Sequence, residues 1–248
     1  MKIGFIGLGN LGSNLAGSLL NNGIELYIND IDNNIKNSFE KKGAKIINSN
    51  KELAYISDII ITCLPSPKIS SQVLESKDGI IEGISENKIW LEMSTTDASE
   101  VIRLSKILKE KKALTLDAPV SGGCHRAATG NISIFVGGDR SGFEKVLPIL
   151  KIIGKDIIHT GELGSASILK VITNYLASTH LVALGEALTV AKMYNISLNK
   201  TYEAIKSSSG NSFVHETESQ VILNGSYNIN FTMDLVLKDI KLFNNLSI

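Results

Sequence analysis

The chain has only two cysteines, Cys63 and Cys124, among its 248 residues. Two cysteines are too few for a disulfide framework, and they lack the clustered spacing of a zinc site. The four histidines form no H-x-H or H-E-x-x-H spacing, so no metal site is predicted. Because this cysteine usage suits a reducing compartment, we expect a cytoplasmic protein.

An excess of one charge is also missing, because 25 lysines and arginines are balanced by 25 acidic residues. Without a global positive field, neither nucleic acid nor an anionic membrane is an expected partner. No basic, cleavable leader precedes the strand pattern that begins at Lys2. The uncharged stretch 171–185 has only 15 residues, which is short for a membrane span and predicts a buried helix.

What is present, from Met1 to about Leu163, is an alternation of short β-rich runs with amphipathic segments, which is typical of a parallel α/β sheet. The strand-like runs are Ile3–Ile6, Glu25–Ile28, Asp58–Leu64, Lys88–Met93, Leu114–Asp117 and Ile132–Val136. The helical patterns are Leu11–Asn22, Asn33–Lys42 and Ser99–Lys111. The sequence therefore predicts an α/β, doubly wound and mainly parallel sheet over residues 1–163.

No strand-like run follows Gly164, and the segment from Ser165 to Tyr194 is apolar around nearly its whole circumference. We predict an all-helical domain over residues 164–248 that serves substrate binding and oligomerisation. Its last helical pattern reaches Ile248 without a stop signal, so we expect the domain to be C-terminally incomplete. Since few segments remain to cover the long helix, we expect a homo-oligomer or cover by helices absent from this chain.

The motif Gly7-Leu8-Gly9-Asn10-Leu11-Gly12 is a G-x-G-x-x-G that joins the first strand to the first helix. Gly7 permits the tight turn, Gly9 lets the backbone approach a pyrophosphate, and Gly12 packs helix against strand. The helix N-terminus then supplies N–H groups and a positive dipole to the anion. This context predicts a Rossmann-type dinucleotide-binding domain.

The second strand is followed by Asn29-Asp30-Ile31-Asp32, a segment that we expect beside the adenosine ribose. A carboxylate there accepts hydrogen bonds from the ribose hydroxyls and repels a 2′-phosphate, which favours NAD over NADP. The alternative is that Asp32 only caps the next helix and that Asp30 is solvated surface. NADP stays possible because Lys36 could turn towards the site.

The segment from Asp117 to Gly123 leaves a strand and turns through two glycines. Its N–H groups and the Ser121 hydroxyl can converge on an anion such as a carboxylate, although the segment could also be a simple turn. Downstream, Lys170 and Asn174 are four residues apart and so share one helix face. A lysine on this apolar helix either serves the site or extends its ammonium into solvent.

These segments together resemble the β-hydroxyacid dehydrogenase family, which includes 3-hydroxyisobutyrate dehydrogenases and tartronate and succinic semialdehyde reductases. The resemblance covers the whole chain. It is carried by Gly4 through Gly12, Cys63-Leu64-Pro65, Met93-Ser94-Thr95, Asp117 through Gly123, Gly137-Gly138, Gly161 through Asn174 and Lys238-Asp239.

The resemblance implies that Ser121, Gly122 and Gly123 hold the substrate carboxylate, that Lys170 is the catalytic acid/base, and that Asn174 orients substrate and lysine. Thr95 and Lys238 would touch the nicotinamide end. Asp97 and Glu100 can cap the following helix without Thr95, whereas Lys238-Asp239 could instead be an exposed helix pair. The implied cofactor-binding set is Gly7, Leu8, Gly9, Asn10, Leu11, Gly12, Asn29, Asp30, Leu64, Pro65, Thr95 and Lys238.

Arg126 is one of only three arginines and stands where many relatives have a small residue, so we predict that it binds a second polar or anionic group of a small carboxylic-acid substrate. The alternative is that Arg126 forms only a surface ion pair. The predicted function is hydride transfer between a nicotinamide and a small β-hydroxy acid or semialdehyde. Two alternatives are an imine reductase-like NADPH enzyme, against which Lys170 argues, and a non-catalytic dinucleotide-binding sensor. The sensor would not need Ser121, Lys170 and Asn174 together.

Overall fold

A computed structural model describes residues 1–227 and 231–246. Residues 228–230 and 247–248, which include the end of the predicted helical domain, lie outside the described residues. The chain divides into two compact units, a first unit Met1–Lys170 and a second unit Val171–Ile248. The sequence-based boundary at residues 163/164 stays a prediction.

The first unit is built around one mainly parallel sheet. Its strands are β1 (Ile3–Ile6), β2 (Leu26–Asn29), β3 (Lys45–Ile46), β4 (Ile59–Thr62), β5 (Ile89–Glu92), β6 (Leu114–Asp117), β7 (Val120–Ser121), β8 (Ile132–Gly137) and β9 (Gly154–Gly161). The order is β3-β2-β1-β4-β5-β6-β8-β7, with β9 paired to β8. The predicted doubly wound fold is thereby confirmed. Strand order reverses between β1 and β4, the place where open α/β sheets bind ligands.

The helices of this unit cover both faces of the sheet. They are α1 (Gly12–Asn21), α2 (Asn33–Glu40), α3 (Asn50–Ile56), α4 (Pro67–Glu75), α5 (Ile80–Gly83), α6 (Ala98–Glu110), α7 (Gly123–Ala128) and α8 (Arg140–Ile153). Neighbouring strand residues enter opposite cores, since Ile59 and Ile61 pack in one apolar cluster and Ile60 in the other. Burial on both faces explains why the central strands are continuous apolar runs.

The long helix α9 (Ser165–Met193) starts in the first unit and continues into the second. The second unit also holds α10 (Leu198–Lys206), α11 (Phe213–Leu223) and α12 (Met233–Asn245). No strand is assigned after β9 in the part of the chain that the structure describes. This agrees with the predicted all-helical region.

The prediction that α9 is buried on most sides is wrong for the single chain. Only 17% of its apolar 18-residue stretch is buried, and the side chains of Val182, Val190 and Met193 are more than half exposed. By length and composition, α9 is the one helix among the described residues that could cross a membrane. A core helix of a globular protein can have the same length and composition. These two properties therefore do not show whether lipid or protein covers α9.

Candidate active site

The loop between β1 and α1 uses each motif glycine differently. Gly7 has a φ of 94°, in the left-handed region, and a β-carbon on it would overlap the Cys63 carbonyl oxygen. A β-carbon on Gly12 would overlap the Gly7 carbonyl oxygen. A β-carbon on Gly9, in contrast, would meet no atom of the chain within 4 Å. Gly9 therefore leaves open space at the start of α1, which fits the close approach of a pyrophosphate.

Asp30, at the end of β2, joins the second strand to this loop. Its Oδ2 accepts a hydrogen bond from the Leu8 N–H at 2.5 Å, and its Oδ1 accepts one from the Asp32 N–H at 2.8 Å. The carboxylate is therefore held in place and is not simply solvated surface. Each of its oxygens has a further lone pair with which to accept a ligand hydroxyl.

The neighbours of Asp30 have local structural partners. The Asp32 carboxylate accepts a hydrogen bond from the Asn34 N–H at 2.8 Å and caps α2, so the alternative of a helix cap is confirmed for this residue. The Asn29 side-chain amide donates to Asn50 at 2.7 Å. Lys36 is only 8% exposed, and its ammonium donates to Asn48 at 2.7 Å.

The loops after β4 and β5 are joined by a buried polar chain. Glu92 Oε1 accepts a hydrogen bond from the Ser94 N–H at 2.8 Å, and Ser94 Oγ accepts one from the Leu64 N–H at 2.7 Å. Burial raises the pKa of the Glu92 carboxyl above its usual range, which favours its neutral form. Leu64, Pro65 and Thr95 are thus carried by two loops that a shared hydrogen-bonded chain fixes at the carboxyl end of the sheet.

The predicted carboxylate-binding turn runs from β7 into α7. Gly122 and Gly123 have φ values of 128° and 78°, a backbone that favours glycine. A β-carbon on Gly122 would lie 2.8 Å from Arg126 Cδ. The aliphatic stem of Arg126 therefore crosses the turn, which brings its side chain to the segment that also carries Ser121.

Lys170 lies in the second turn of α9 and is only 7% exposed. The alternative in which its ammonium extends into solvent is therefore wrong. The start of this helix is bound by Asp117, whose carboxylate accepts hydrogen bonds from the Gly164 N–H at 2.9 Å and from the Ser167 N–H at 2.7 Å. The helix that carries Lys170 is thereby tied to the strand that leads into the Ser121 turn.

In the second unit, Asn174 and Lys238 share a buried carboxylate. Asp239 is 3% exposed, and its Oδ2 accepts a hydrogen bond from Asn174 Nδ2 at 2.6 Å. Its Oδ1 lies 3.1 Å from Lys238 Nζ. The alternative of a solvent-exposed Lys238-Asp239 pair is wrong because the carboxylate is buried.

Sequence reasoning did not find the roles of Glu92 and Asp117. Both end a strand and are fully buried. Their position at the carboxyl ends of β5 and β6 was the available signal, because buried acids are rare unless they are hydrogen-bonded. His159, on β9, has a local structural partner, since its Nε2 contacts the Gly138 carbonyl oxygen at 2.8 Å.

The sheet order, the glycine loop and the open space at Gly9 define a Rossmann-type dinucleotide-binding protein. A family model described as the NAD binding domain of 6-phosphogluconate dehydrogenase matches residues 2–161. A second model, described as NAD-binding of NADP-dependent 3-hydroxyisobutyrate dehydrogenase, matches residues 164–247.

Known relatives extend this match over nearly the whole chain. The 2-(hydroxymethyl)glutarate dehydrogenase of Eubacterium barkeri is 34% identical over 98% of this chain and 81% of its own length. The mitochondrial 3-hydroxyisobutyrate dehydrogenase of Drosophila melanogaster is 31% identical over 97% and 76%. A structure of Mycobacterium tuberculosis 3-hydroxyisobutyrate dehydrogenase with L-serine superposes with a TM-score of 0.89 at 25% identity, covering 99% of this chain and 86% of that one.

The chain therefore belongs to the β-hydroxyacid dehydrogenase family. It is a nicotinamide-dependent oxidoreductase of hydroxy acids.

Proposed function

We propose that the protein interconverts a small β-hydroxy acid and its semialdehyde, with Lys170 as the general acid/base. The observation that carries this proposal is the buried Lys170 on a helix bonded at its start to the strand that leads into Ser121. A screen of short hydroxy acids and semialdehydes with NAD(H) and NADP(H), followed by nicotinamide absorbance, tests it. Absence of turnover with the whole panel would count against the proposal.

A nicotinamide, when bound, would supply the hydride acceptor for oxidation and the hydride donor for reduction. The remaining work falls to the chain: in the oxidation direction the neutral Lys170 amine takes the hydroxyl proton, and in reduction its ammonium returns a proton to the developing alkoxide. Ser121, Gly122 and Gly123 would hold the substrate carboxylate through N–H and hydroxyl donors. Asn174 would orient substrate and lysine.

The cofactor would be held by the glycine loop, by Leu64 and Pro65, and at its nicotinamide end by Thr95 and Lys238. Open space at Gly9 supports this placement. An imine reductase-like NADPH enzyme is less well supported, because a buried Lys170 and a carboxylate-binding turn serve a hydroxy acid better than an amine. A non-catalytic sensor would require neither the buried Lys170 nor the carboxylate-binding turn.

We propose further that Arg126 binds a second acidic group of the substrate. Its stem already crosses the Gly122 turn, and a guanidinium binds a carboxylate through two parallel hydrogen bonds. A relative named for 2-(hydroxymethyl)glutarate, a hydroxy acid with two carboxylates, supports this substrate class. Arg126→Ala is expected to lower kcat/KM by about tenfold or more for dicarboxylic semialdehydes and much less for monocarboxylic ones.

Arg140→Ala is the matched control for Arg126→Ala. Arg140 forms an exposed ion pair with Glu144 at 3.1 Å on α8, so its removal should change neither rate. Equal loss towards mono- and dicarboxylic semialdehydes in Arg126→Ala would show that the residue does not read the substrate.

We propose that NAD(H) is preferred over NADP(H), because the fixed Asp30 carboxylate repels a 2′-phosphate. Asp30→Arg is expected to raise the ratio of kcat/KM for NADPH to that for NADH. The ratio is the proper measure, since the substitution also removes the acceptor of the Leu8 N–H and should weaken both cofactors. Asp32→Ser keeps a helix cap and should leave the ratio unchanged. A wild-type enzyme already selective for NADPH would refute this preference.

We infer that the protein acts in the cytoplasm, without a membrane or nucleic-acid partner. We infer also that a second copy of the chain covers the exposed apolar surface of α9. The surface residues Val182, Val190 and Met193 support an interface. Light scattering over a dilution series is expected to give a dimer or a larger assembly. A monomer at every concentration, or a chain that needs detergent to stay dispersed, would contradict this inference.

A further inference from the structure

Asp117 lies where β6, β8 and the start of α9 meet, and its side chain is fully buried. Strand register pairs Asp117 with Gly137 of β8. A β-carbon on Gly137 would overlap Asp117 Oδ1, so this glycine provides the space that the carboxylate occupies. Gly137 belongs to a motif that the cofactor and substrate roles do not explain.

The carboxylate accepts three hydrogen bonds from one short segment of chain. Oδ1 accepts from the Gly164 N–H at 2.9 Å, and Oδ2 accepts from the Ser167 N–H at 2.7 Å and from Ser167 Oγ at 2.8 Å. These donors lie at Gly164, just before α9, and in its first turn, where the helix dipole favours a negative charge. Three charge-assisted bonds in a buried setting fix the helix start to the end of β6.

The two ends of this connection reach the proposed chemistry by short lengths of chain. Ser121 lies four residues beyond Asp117, so their Cα atoms are at most about 14 Å apart. Lys170 lies three residues beyond Ser167, a helical rise of about 4.5 Å. One carboxylate thus holds both the segment that would bind substrate and the helix that carries the acid/base.

We propose that Asp117 is a positioning residue that sets the place of Lys170 relative to the Ser121–Gly123 turn. It acts through the start of α9 and does not touch the substrate. This inference rests on the proposed function, in which Lys170 exchanges the alcohol proton. Because proton transfer depends on sub-ångström placement, loss of the connection should reduce turnover far more than cofactor binding.

Two substitutions test the role at different strengths. Asp117→Asn keeps the side-chain shape but turns one acceptor into a donor that opposes the N–H groups of α9. We expect kcat for 3-hydroxyisobutyrate or 2-(hydroxymethyl)glutarate, whichever the wild type oxidises faster, to fall about tenfold or more. The pH profile of kcat/KM should shift as well, while the Kd for NADH changes less than about twofold. Ser167→Ala removes one of the three bonds, and a smaller loss of the same kind is expected.

Asp139→Asn is the matched control, because Asp139 caps α8 with the same local chemistry. It accepts hydrogen bonds from the Ser141 N–H at 2.9 Å, from the Gly142 N–H at 3.1 Å and from the Ser141 hydroxyl. This variant should melt at a lower temperature and keep the wild-type kcat and pH profile.

Suppose that Asp117→Asn and Ser167→Ala both keep the wild-type kcat and pH profile while Lys170→Met is inactive. This result would overturn the positioning role alone. An active Lys170→Met would overturn the proposed function instead. A loss of kcat that matches a loss of NADH-binding sites per chain would also overturn the positioning role, because it would report unfolding. If Asp117→Asn does not fold, Ser167→Ala decides: unchanged kcat and pH profile overturn the proposal.

Discussion

Replacement of Lys170 by methionine is expected to lower kcat for hydroxy-acid oxidation by at least about 10²-fold, the usual scale of general acid–base catalysis. Methionine has a similar length and keeps the apolar packing of a residue that is only 7% exposed, but it can neither take nor give a proton. A base that acts as the neutral amine makes kcat/KM for oxidation rise with pH as the lysine loses its proton. This rise should disappear in the same variant. The Kd for NADH should change little, because the glycine loop does not depend on Lys170.

Lys88→Met provides the comparison for Lys170→Met. Lys88 is half-buried, whereas Lys170 is buried, and the Lys88 ammonium donates hydrogen bonds to the carbonyl oxygens of Ala54 and Tyr55 at the end of α3. Its loss should lower stability and leave kcat unchanged. A Lys170→Met enzyme with near-wild-type turnover would refute the acid/base role, and a parallel loss of NADH binding would reassign Lys170 to the cofactor or to structure.

Substitution of Gly9 by alanine is expected to weaken NADH binding without destabilising the fold. The added methyl group would meet no protein atom within 4 Å, and Gly9 is not among the positive-φ glycines. It would, however, occupy the space in which a pyrophosphate approaches the backbone. Overpacking costs about 1–3 kcal/mol, which corresponds to about a 5- to 150-fold rise in Kd. Fluorescence titration with NADH and thermal melting measure the two effects separately.

Gly17→Ala is the paired control for Gly9→Ala. A β-carbon on Gly17 also meets no atom within 4 Å, but this glycine lies inside α1. Alanine there should raise stability by up to about 1 kcal/mol and leave the Kd for NADH unchanged. A Gly9→Ala protein that binds NADH as tightly as the wild type would show that the dinucleotide does not lie against this loop.

The sequence was sufficient to predict the sheet and the glycine loop because both depend on local patterns. β1 and β6 have the predicted bounds, and the predicted strand Lys88–Met93 contains β5. In the first unit, the helices α3, α4, α5, α7 and α8 were missed. The short strands β3 and β7 were also missed, because two residues carry no periodicity to detect. Strand β9 was missed although it has eight residues, and its mixed, half-exposed pattern explains why.

The contacts that organise the site were less accessible from the sequence. Asp117 binds donors 47 and 50 residues further along the chain, and no spacing rule connects such distant residues. Asp30 and Asp32 looked equivalent as candidates near a ribose, yet one fixes the glycine loop and the other caps α2. Only the three-dimensional structure distinguishes these roles.

The central claim is that the protein oxidises the hydroxyl group of a substrate that also carries a carboxylate. The most direct test compares 3-hydroxyisobutyrate with its methyl ester, and 2-(hydroxymethyl)glutarate with its diester. Each is mixed with enzyme and NAD, and formation of reduced nicotinamide is followed by absorbance. We expect reduction of NAD by at least one free acid and a much lower kcat/KM for its ester, because the ester cannot bind the Ser121–Gly123 turn as an anion. Equal rates for acids and esters, or no NAD reduction by any of the four compounds, would contradict the account.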